Sequence, residues 1–245
     1  MLSQEKLATA VGDRWSDSEL SEAVALLSRA EGRFPAGVRT LPPDLVRAIQ
    51  RERLLAAMIR TVTEVGYNAL TVQDVLARAG ISRPTFYEQF DDKEDCFLAA
   101  FDVSAVQIRE RLERAVTSAG PSWREQLRSG IGELLRFIAD EPEAARIVIV
   151  EARASSPAGL RRRDELLDHF AGCIDALVRE DLDEVPSAIA AAGVVGGIES
   201  VLYARLQKEE TDDLDALLPS LMYFAVLAYA GQEAAGEELD DAALA

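Results

Sequence analysis

The 245-residue chain is poor in the residues that carry most catalytic and metal chemistry. It has two cysteines, Cys96 and Cys173, and one histidine, His169. Two cysteines on helical stretches make no disulfide framework, and one histidine does not supply the spacing of a metal site. Gly-rich phosphate loops and nucleophile motifs are also missing. The sequence therefore predicts no catalytic residue, no metal and no cofactor.

Long apolar runs are missing as well. The longest apolar tract, around residues 188 to 198, is interrupted by Gly193, Gly196 and Gly197 and is followed by Glu199, so we expect no membrane span of about 20 apolar residues. The N-terminus has no basic-then-apolar signal segment. Hydrophobic residues make up 49% and charged residues 28%, as is usual for globular proteins. We expect a cytoplasmic protein that makes no membrane contact.

Positive charge is scarce, with 26 Lys and Arg against 43 Asp and Glu, a net charge of −17. This balance opposes nucleic-acid binding, because basic side chains supply most non-specific affinity for DNA. The distribution of charge along the chain removes this objection to nucleic-acid binding. Residues 45–83 hold six basic and three acidic residues, whereas the rest of the chain holds 20 and 40. Such a polarised field would orient the basic end towards DNA.

No stretch alternates like a β-strand, and every long segment has helical periodicity. The predicted helices after the motif described below cover about 92–119, 122–140, 143–154, 160–182, 187–207 and 214–230, and one from 44 to 65 precedes it. The chain is therefore predicted to be all-α, with an N-terminal three-helix helix-turn-helix domain and a helical second domain that binds a ligand and dimerises.

Four regions follow from these boundaries. Residues 1–41 form an extension with one helix, about 16–30, and a Pro/Gly/Arg linker that includes Arg33 and Arg39. The linker is either a basic arm for DNA or a simple tether. Residues 42–101 form the DNA-binding domain and 102–232 the second domain. The acidic tail, 233–245, is predicted to be frayed or disordered.

Residues 71–93 carry the most informative motif. Thr71 caps a short helix, Gly80 ends it in a left-handed conformation, and Ser82 caps the next helix. Phe86 and Phe90 share one face of that second helix and must pack inward. Four residues are left to project outward from its N-terminal half: Arg83, Pro84, Thr85 and Tyr87. Such a face fits a DNA major groove, whereas the alternative is an ordinary helical hairpin in a core.

From about Arg51 to Phe101 the sequence resembles the TetR family of transcriptional regulators. The resemblance is carried by Thr71, Gly80-Ile81-Ser82, Thr85-Phe86-Tyr87, Phe90 and Asp92-Lys93-Glu94. It implies base contacts from Gln73, Arg83, Pro84, Thr85 and Tyr87. It also implies phosphate contacts from Thr71, Ser82, Gln89 and Lys93. Glu88 departs from the pattern, because a carboxylate beside a phosphate would be repelled.

Two of these side chains have particular chemistry. The guanidinium of Arg83 can pair with O6 and N7 of guanine, which discriminates by about 1 to 3 kcal/mol; the alternative is a plain phosphate contact. Lys93 stands at a helix N-terminus capped by Asp91 or Asp92, where amides and an ammonium could hold a phosphate together. Its alternative is a solvated surface lysine.

The last two long helices are apolar nearly all round, which predicts burial on several sides. The economical solution is a two-fold homodimer, as the resemblance also implies, with a monomer core as the alternative. The predicted interface residues are Gly193, Gly197, Val201, Leu217, Leu221 and Phe224. Dimerisation would set two recognition helices about 34 to 36 Å apart.

The resemblance further implies a small-molecule effector that binds within the second domain. The candidate lining is Trp123, Leu127, Phe137, Ile147, Glu151, His169, Phe170, Cys173, Glu199 and Tyr203. Each is otherwise ordinary core. Glu151 and Glu199 lie in apolar segments and need a partner, either an arginine such as Arg153 or Arg205 or a cationic ligand.

Three functions compete at this point. The favoured one is a homodimeric, ligand-responsive transcriptional repressor that binds double-stranded DNA at a palindromic operator and is released by a small molecule. A helical protein-interaction module that has lost DNA binding is the alternative, indicated by Glu88 and the acidic balance. An enzyme is the third and is disfavoured by the missing motifs.

Overall fold

A computed structural model describes residues 43–182 and 189–243, with the side chains of residues 240–243 left aside. The predicted helix at 16–30, the linker with Arg33 and Arg39, and the predicted start of a helix at Ser187 lie outside the described residues. The chain divides into two compact units, with the boundary between Ala100 and Phe101. The units are described in turn.

The first unit contains α1 (Pro43–Val65), α2 (Val72–Ala79), α3 (Arg83–Tyr87) and the beginning of α4 (Lys93–Thr117). Gly66, with φ of 77°, ends α1 and donates its N–H to the carbonyl of Val62 at 2.8 Å. The core of the unit is apolar and fully buried: Leu45, Ile49, Leu54, Met58, Val62, Phe86, Phe90 and Phe97.

One buried arginine ties α1 to the end of α2. Arg53 is only 9% exposed, and its Nη2 donates to the carbonyl of Ala79 at 2.6 Å. That carbonyl belongs to the last turn of α2, whose carbonyls have no partner within the helix. Burial lowers the pKa of Arg53. The side chain therefore fixes the turn that follows α2, and it is not part of a DNA-facing surface.

The second unit is built from helices joined by short turns. It contains the rest of α4, then α5 (Trp123–Asp140), α6 (Pro142–Arg146), a π-helical segment (Ile147–Glu151), α7 (Ala152–Ala154), α8 (Pro157–Asp181), α9 (Ile189–Gln207), a 3₁₀ turn (Leu214–Leu217) and α10 (Leu218–Ala243). Neither unit has a β-strand in its described residues. The prediction of an all-α fold with an N-terminal helix-turn-helix domain and a helical second domain is confirmed.

The predicted helix over 143–154 is not one regular α-helix. Its middle widens into the π-helical segment Ile147–Glu151, and all five residues there are buried. Five successive side chains of a helix point in all directions around its axis, since even an α-helix advances 100° per residue, so the segment is packed on every side. π-Bulges of this kind occur often at functional sites.

The acidic tail was predicted to be frayed or disordered, and the structure corrects this. Helix α10 continues to Ala243, with non-helical φ/ψ of 81° and −177° at Gly231. Beyond this kink Glu238 is 1% exposed and forms ion pairs with Arg124 and Arg128 of α5. Glu237 also contacts Arg124, at 2.8 Å. Two arginines some 110 residues away in sequence therefore hold the segment in place.

Two helical stretches, α9 and residues 214–239, are long and apolar enough to span a membrane by length and composition. The expectation from the sequence that no stretch would be apolar enough to span a membrane was therefore wrong, as judged by length and composition alone. Within the second unit, however, α9 carries the buried Glu199 in ion pairs with two arginines. The core helix of a globular protein passes the same test, since its apolar residues face other helices.

Candidate nucleic-acid interface and ligand cavity

The first helix of the motif, α2, begins with a complete capping box. Thr71 Oγ1 accepts from the N–H of Asp74 at 3.4 Å, and Asp74 Oδ2 accepts from the N–H of Thr71 at 2.9 Å. Thr71 Oγ1 also donates to Asp74 Oδ2 at 2.6 Å, and these hydrogen bonds lower the pKa of Asp74. The box satisfies two amides that would otherwise lack partners.

The turn between α2 and α3 is three residues long. Gly80 has φ of 63° and ψ of 35°, the left-handed conformation that ends helices, and its N–H donates to Leu76 O at 3.0 Å. Ile81 is 8% exposed and anchors the turn in the core. Ser82 then caps α3 by accepting from the N–H of Thr85 at 3.4 Å, with Pro84 in the first turn.

Helix α3 separates an apolar face from a polar one. Phe86 is fully buried, and its ring centroid lies 5.7 Å from that of Phe90. Arg83, Pro84 and Tyr87 are exposed, and Tyr87 retains 50% of its accessible surface. Thr85 is half-buried, and its hydroxyl lies 2.8 Å from that of Ser82. Groove-sized side chains therefore stand together on the outer face.

Gln73 of α2 lies beside this face. Arg83 Nη2 donates to Gln73 Oε1 at 3.4 Å, so two predicted base-contacting side chains also contact each other. Glu88, the residue that departs from the family pattern, is solvent-exposed. The hydrogen bond described for the Arg83 guanidinium goes to Gln73 and not to Glu88. The amide limits the directions in which the guanidinium can point and leaves its other N–H groups available to a base edge.

Two predicted phosphate contacts are engaged within the domain. Gln89 Nε2 donates to Arg47 O at 3.3 Å, while Arg51 donates to Gln89 O at 3.2 Å and lies over the Phe90 ring. Lys93 Nζ donates to Tyr67 O and Leu70 O at 3.0 and 3.1 Å. These bonds fasten the chain after α3 to α1 and to the loop before α2.

The helix N-terminus at Lys93 is already capped in part by an aspartate. Asp92 Oδ1 accepts from the N–H of Asp95 at 2.9 Å, as the sequence suggested for a capping aspartate. The carboxylate thus occupies an amide that a phosphate would need, and the ammonium of Lys93 turns instead to two carbonyls and the Tyr67 ring, 4.3 Å from its centroid. A phosphate contact from Lys93 stays a prediction that requires these bonds to be exchanged.

The second unit encloses an elongated cavity of about 450 Å³, within the usual range for ligand pockets. Its walls come from α4, α5, the π-helical segment, α8 and α9, and most of the lining is aliphatic. Lining residues on α8 run from Arg163 to Leu177, roughly 21 Å along the helix axis at 1.5 Å per residue. The cavity is shaped for a long apolar molecule.

The buried charges in its wall neutralise one another. Glu199, 7% exposed, accepts from Arg153 Nε and from Arg163 Nε, each at 3.1 Å. Arg163 also contacts Asp164 at 2.7 Å, and Arg153 stacks on the Tyr203 ring at 4.2 Å. Glu199 therefore has two guanidinium partners, and a cationic ligand is not needed to explain its burial.

Five of the ten predicted pocket residues line this cavity together: Leu127, His169, Phe170, Cys173 and Glu199. The other five lie outside its lining. Trp123 packs against Tyr229, Phe137 lies under Arg111, and Tyr203 lies under Arg153. Ile147 is fully buried, and Glu151 pairs with Arg146 at 3.4 Å. Arg205, one of the partners suggested for these carboxylates, contacts Glu210.

Sequence reasoning missed the polar residues that α4 brings to the cavity and, on α8, Arg163. Arg109, Glu113 and Thr117 recur at intervals of four on α4, and Arg163 stands at the start of the lining on α8. The interval was a usable signal, because it places all three on one side of a helix.

The predicted interface residues fall into two groups within one chain. Leu221 is buried and Leu217 is half-buried within the chain. A Cβ on Gly197 would lie 2.7 Å from the Phe224 ring, so this glycine lets α9 pack closely on α10. Gly193, Val201 and Phe224 are exposed, and so are Ile189 and Leu227. Apolar surface therefore remains on the outer side of both helices.

Comparison with known proteins identifies the first unit. Residues 54–100 match the family described as bacterial regulatory proteins, tetR family. This range holds the capping box, the turn and α3.

No group of three or more His, Cys, Asp or Glu side chains placed to hold a metal occurs among the described residues.

Relatives extend the match beyond that domain. A fatty acid metabolism regulator protein of Bacillus subtilis is 22% identical over 71% of this chain and 92% of its own. The HTH-type transcriptional activator FasR of Mycolicibacterium smegmatis is 22% identical over 84% of this chain and 94% of its own. The structure of FadR from Bacillus subtilis in complex with stearoyl-CoA matches with a TM-score of 0.64 and 22% identity over 74% of this chain and 98% of that one. With the helix-turn-helix geometry, the family match identifies residues 54–100 as a DNA-binding domain of the tetR family, and the two relatives and the all-helical second unit extend the likeness to transcriptional regulators over most of the chain.

Proposed function

We propose that the protein regulates transcription in response to a long-chain acyl compound that binds in the cavity of the second unit. The observation that carries this proposal is the extent and lining of the cavity, which is long and mostly aliphatic, with its buried charges already paired. An apolar chain gains free energy there by leaving water, about 0.8 kcal/mol per buried CH₂. The relatives named for fatty acid regulation, one of them bound to stearoyl-CoA, support the same class.

DNA is bound by the exposed face of α3 together with Gln73 of α2. Base contacts come from Gln73, Arg83, Pro84, Thr85 and Tyr87, and the contact between Arg83 and Gln73 prepares the guanidinium for a guanine. Thr71, Ser82, Gln89 and Lys93 are the phosphate-contacting candidates, of which Gln89 and Lys93 must first release carbonyls.

The working form is a homodimer joined through α9 and α10. Ile189 is 79% exposed, and Val201, Phe224 and Leu227 are between 39% and 44% exposed. Together with the glycines of α9 they form an apolar surface that a second copy would cover, in keeping with the two-fold interfaces that most oligomers use. The dimer would bind an inverted repeat, one half-site per α3. We place the protein in the cytoplasm and expect it to turn over no substrate.

We propose that the protein represses transcription and that the acyl compound relieves this repression. Activation is the second candidate, because the relative FasR is named a transcriptional activator. A helical interaction module without sequence-specific DNA binding is the alternative from another class, favoured by the exposed Glu88 and by the internal use of Gln89 and Lys93.

The test begins with selection of bound sequences from random duplex DNA by the full chain, with its mass in solution recorded. We expect a dimer to recover one inverted repeat, and stearoyl-CoA to change its affinity for that repeat. Transcription in vitro from a template carrying the repeat then gives the sign. Failure to enrich any sequence at low salt, with and without stearoyl-CoA and with the dimer intact, would favour the interaction module.

A further inference from the structure

Two exposed side chains from different helices meet on the face that is proposed to bind DNA. Gln73 stands in the first turn of α2 and Arg83 in the first turn of α3, and Arg83 Nη2 lies 3.4 Å from Gln73 Oε1. The backbone of each turn is held locally, α2 by its capping box and α3 by the Ser82 cap. The contact therefore joins two side chains whose backbones are fixed.

The chemistry of this contact decides how the amide of Gln73 is oriented. A guanidinium has only N–H donors, so the amide must offer its oxygen to Arg83 and direct its NH₂ group elsewhere. No partner for that NH₂ group occurs among the residues that the structure describes. The neighbouring carboxylate of Asp74 does not compete for Arg83, because it accepts from the N–H and the hydroxyl of Thr71 at 2.9 and 2.6 Å. Gln73 therefore keeps two donors for a base edge.

A base amino group and a base keto oxygen interact with this pair in opposite ways. The amide oxygen keeps a second lone pair, but an amino group bound there would lie against the positive charge of Arg83 and be repelled. A keto oxygen is attracted by the same charge and accepts from the amide NH₂ group. In the major groove guanine and thymine present keto oxygens, whereas adenine and cytosine present amino groups. Contact with Arg83 therefore makes Gln73 selective for keto bases.

We propose that Arg83 and Gln73 read two successive base pairs as a unit, with guanine contacted by Arg83 and either guanine or thymine contacted by Gln73. This inference rests on the proposed DNA binding through α3 and Gln73. Two side chains that touch each other reach base edges that are close together, and successive base pairs are about 3.4 Å apart along the duplex. A glutamine without such a neighbour pairs with adenine through two hydrogen bonds. Arg83 thus determines the base at a position that it does not itself contact.

The experiment selects bound sequences from random duplex DNA with the full chain and compares base frequencies at each position of a half-site. The wild type should select guanine at one position. On one strand of an adjacent position it should accept both guanine and thymine and deplete adenine and cytosine about fivefold, the contribution of about one hydrogen bond. Arg83→Ala should change that adjacent position to adenine on the same strand, because both groups of the amide are then free to bind adenine. Loss of the guanine is expected of any direct contact, so the adjacent position is the informative one.

Two further variants separate the pair from its parts. Gln73→Met removes both the oxygen and the NH₂ group at similar side-chain length and should leave the adjacent position without a base preference. It tests the pair even if Arg83→Ala binds DNA too weakly for selection. Arg78→Ala is the matched control, since Arg78 is exposed on α2 and is held by Glu64. It removes one arginine from the same domain and should change neither position.

Two results would overturn the reading of two base pairs as a unit. One is a wild-type protein that, beside the guanine, selects only adenine–thymine pairs or shows no preference. The other is an Arg83→Ala or Gln73→Met variant that keeps the preference for guanine and thymine there. In both cases an enriched inverted repeat leaves the proposed DNA binding standing, and this inference alone falls. If the wild type enriches no sequence at low salt, with and without stearoyl-CoA, DNA binding falls and the inference falls with it.

Discussion

Arg83 is the residue on which sequence discrimination should depend most. Its guanidinium is exposed at the start of α3 and rests against Gln73. Arg83→Ala should cost about 1 to 3 kcal/mol on the preferred operator and relax the preference at one base pair per half-site. Competition binding against operators mutated at each position measures this. Arg78→Ala is the control, because Arg78 is exposed on α2 but is held by Glu64. An equal loss on all sequences would make Arg83 a phosphate contact.

The two cysteines should report on the fold and on the cavity separately. Burial raises the pKa of Cys96 to about 12, so its thiol should not react with an alkylating agent at neutral pH in the folded protein. Cys173 is exposed and lines the cavity, so it should react slowly, with a rate that rises towards alkaline pH because its pKa is also raised. Mass spectrometry after timed alkylation should find one label. Stearoyl-CoA should slow that labelling, and an unchanged rate at saturation would place the acyl chain elsewhere.

The net charge of residues 45–83 overstated how many basic side chains this segment can present to DNA. Six basic residues were counted between Leu45 and Arg83, yet Arg47 pairs with Asp44, Arg78 pairs with Glu64, and Arg53 is buried against Ala79. Composition gives the number of charges but not their partners, and partners come from helices that meet only after folding. The uneven distribution of charge along the chain was therefore predictable from the sequence. The number of basic side chains that can contact DNA phosphates was not.

At the scale of single helices, the capping box of α2 gives a direct test of local stability. Thr71→Ala removes the side-chain acceptor of the Asp74 amide and should cost about 1 kcal/mol of the free energy of unfolding. Thr71→Ser keeps the hydroxyl and should restore most of it. Chemical denaturation of the three proteins at one pH measures the difference.

Acidification should shrink that difference. The hydrogen bonds from Thr71 lower the pKa of Asp74 in the folded protein. The stability linked to a lowered carboxyl pKa is present above the unfolded group's pKa and is lost as the pH falls through the folded one. Denaturation repeated at acidic pH should therefore bring Thr71→Ala closer to the wild type. A gap independent of pH would mean that Asp74 does not act through its charge.

Helices whose ends are capped by residues close in sequence were predicted well. Helical features that depend on residues distant in sequence were not. Caps such as Thr71, Gly80 and Ser122 act on amides a few residues away, so their positions follow from the sequence. The π-helical segment depends on what packs around Ile147–Glu151, and the order beyond Gly231 depends on Arg124 and Arg128. Neither dependence is visible in the residues of the segment itself.

The cavity shows the same division. Large aromatic residues were predicted to line it, but Trp123 and Phe137 pack elsewhere, and part of the wall comes from a face of α8 that includes Cys173 and Ala176. Small residues leave space only when the opposite helix stays apart, and that separation is a property of the assembled bundle. The presence of a ligand site was expected from the sequence; its polar rim on α4 came only with the structure.

For the whole molecule, the decisive question is whether the exposed apolar surface of α9 and α10 joins two copies. Leu227→Glu places a charge on that surface and should convert the dimer to a monomer, because the charge would be desolvated against the second copy. Leu160→Glu is the matched control, since Leu160 is exposed to 41% against 40% for Leu227 but lies on α8. Sedimentation gives the mass of each, and calorimetry checks that both remain folded. Operator affinity should fall only for Leu227→Glu, since a monomer reads one half-site. A folded Leu227→Glu variant that keeps its dimer mass would move the interface away from this surface.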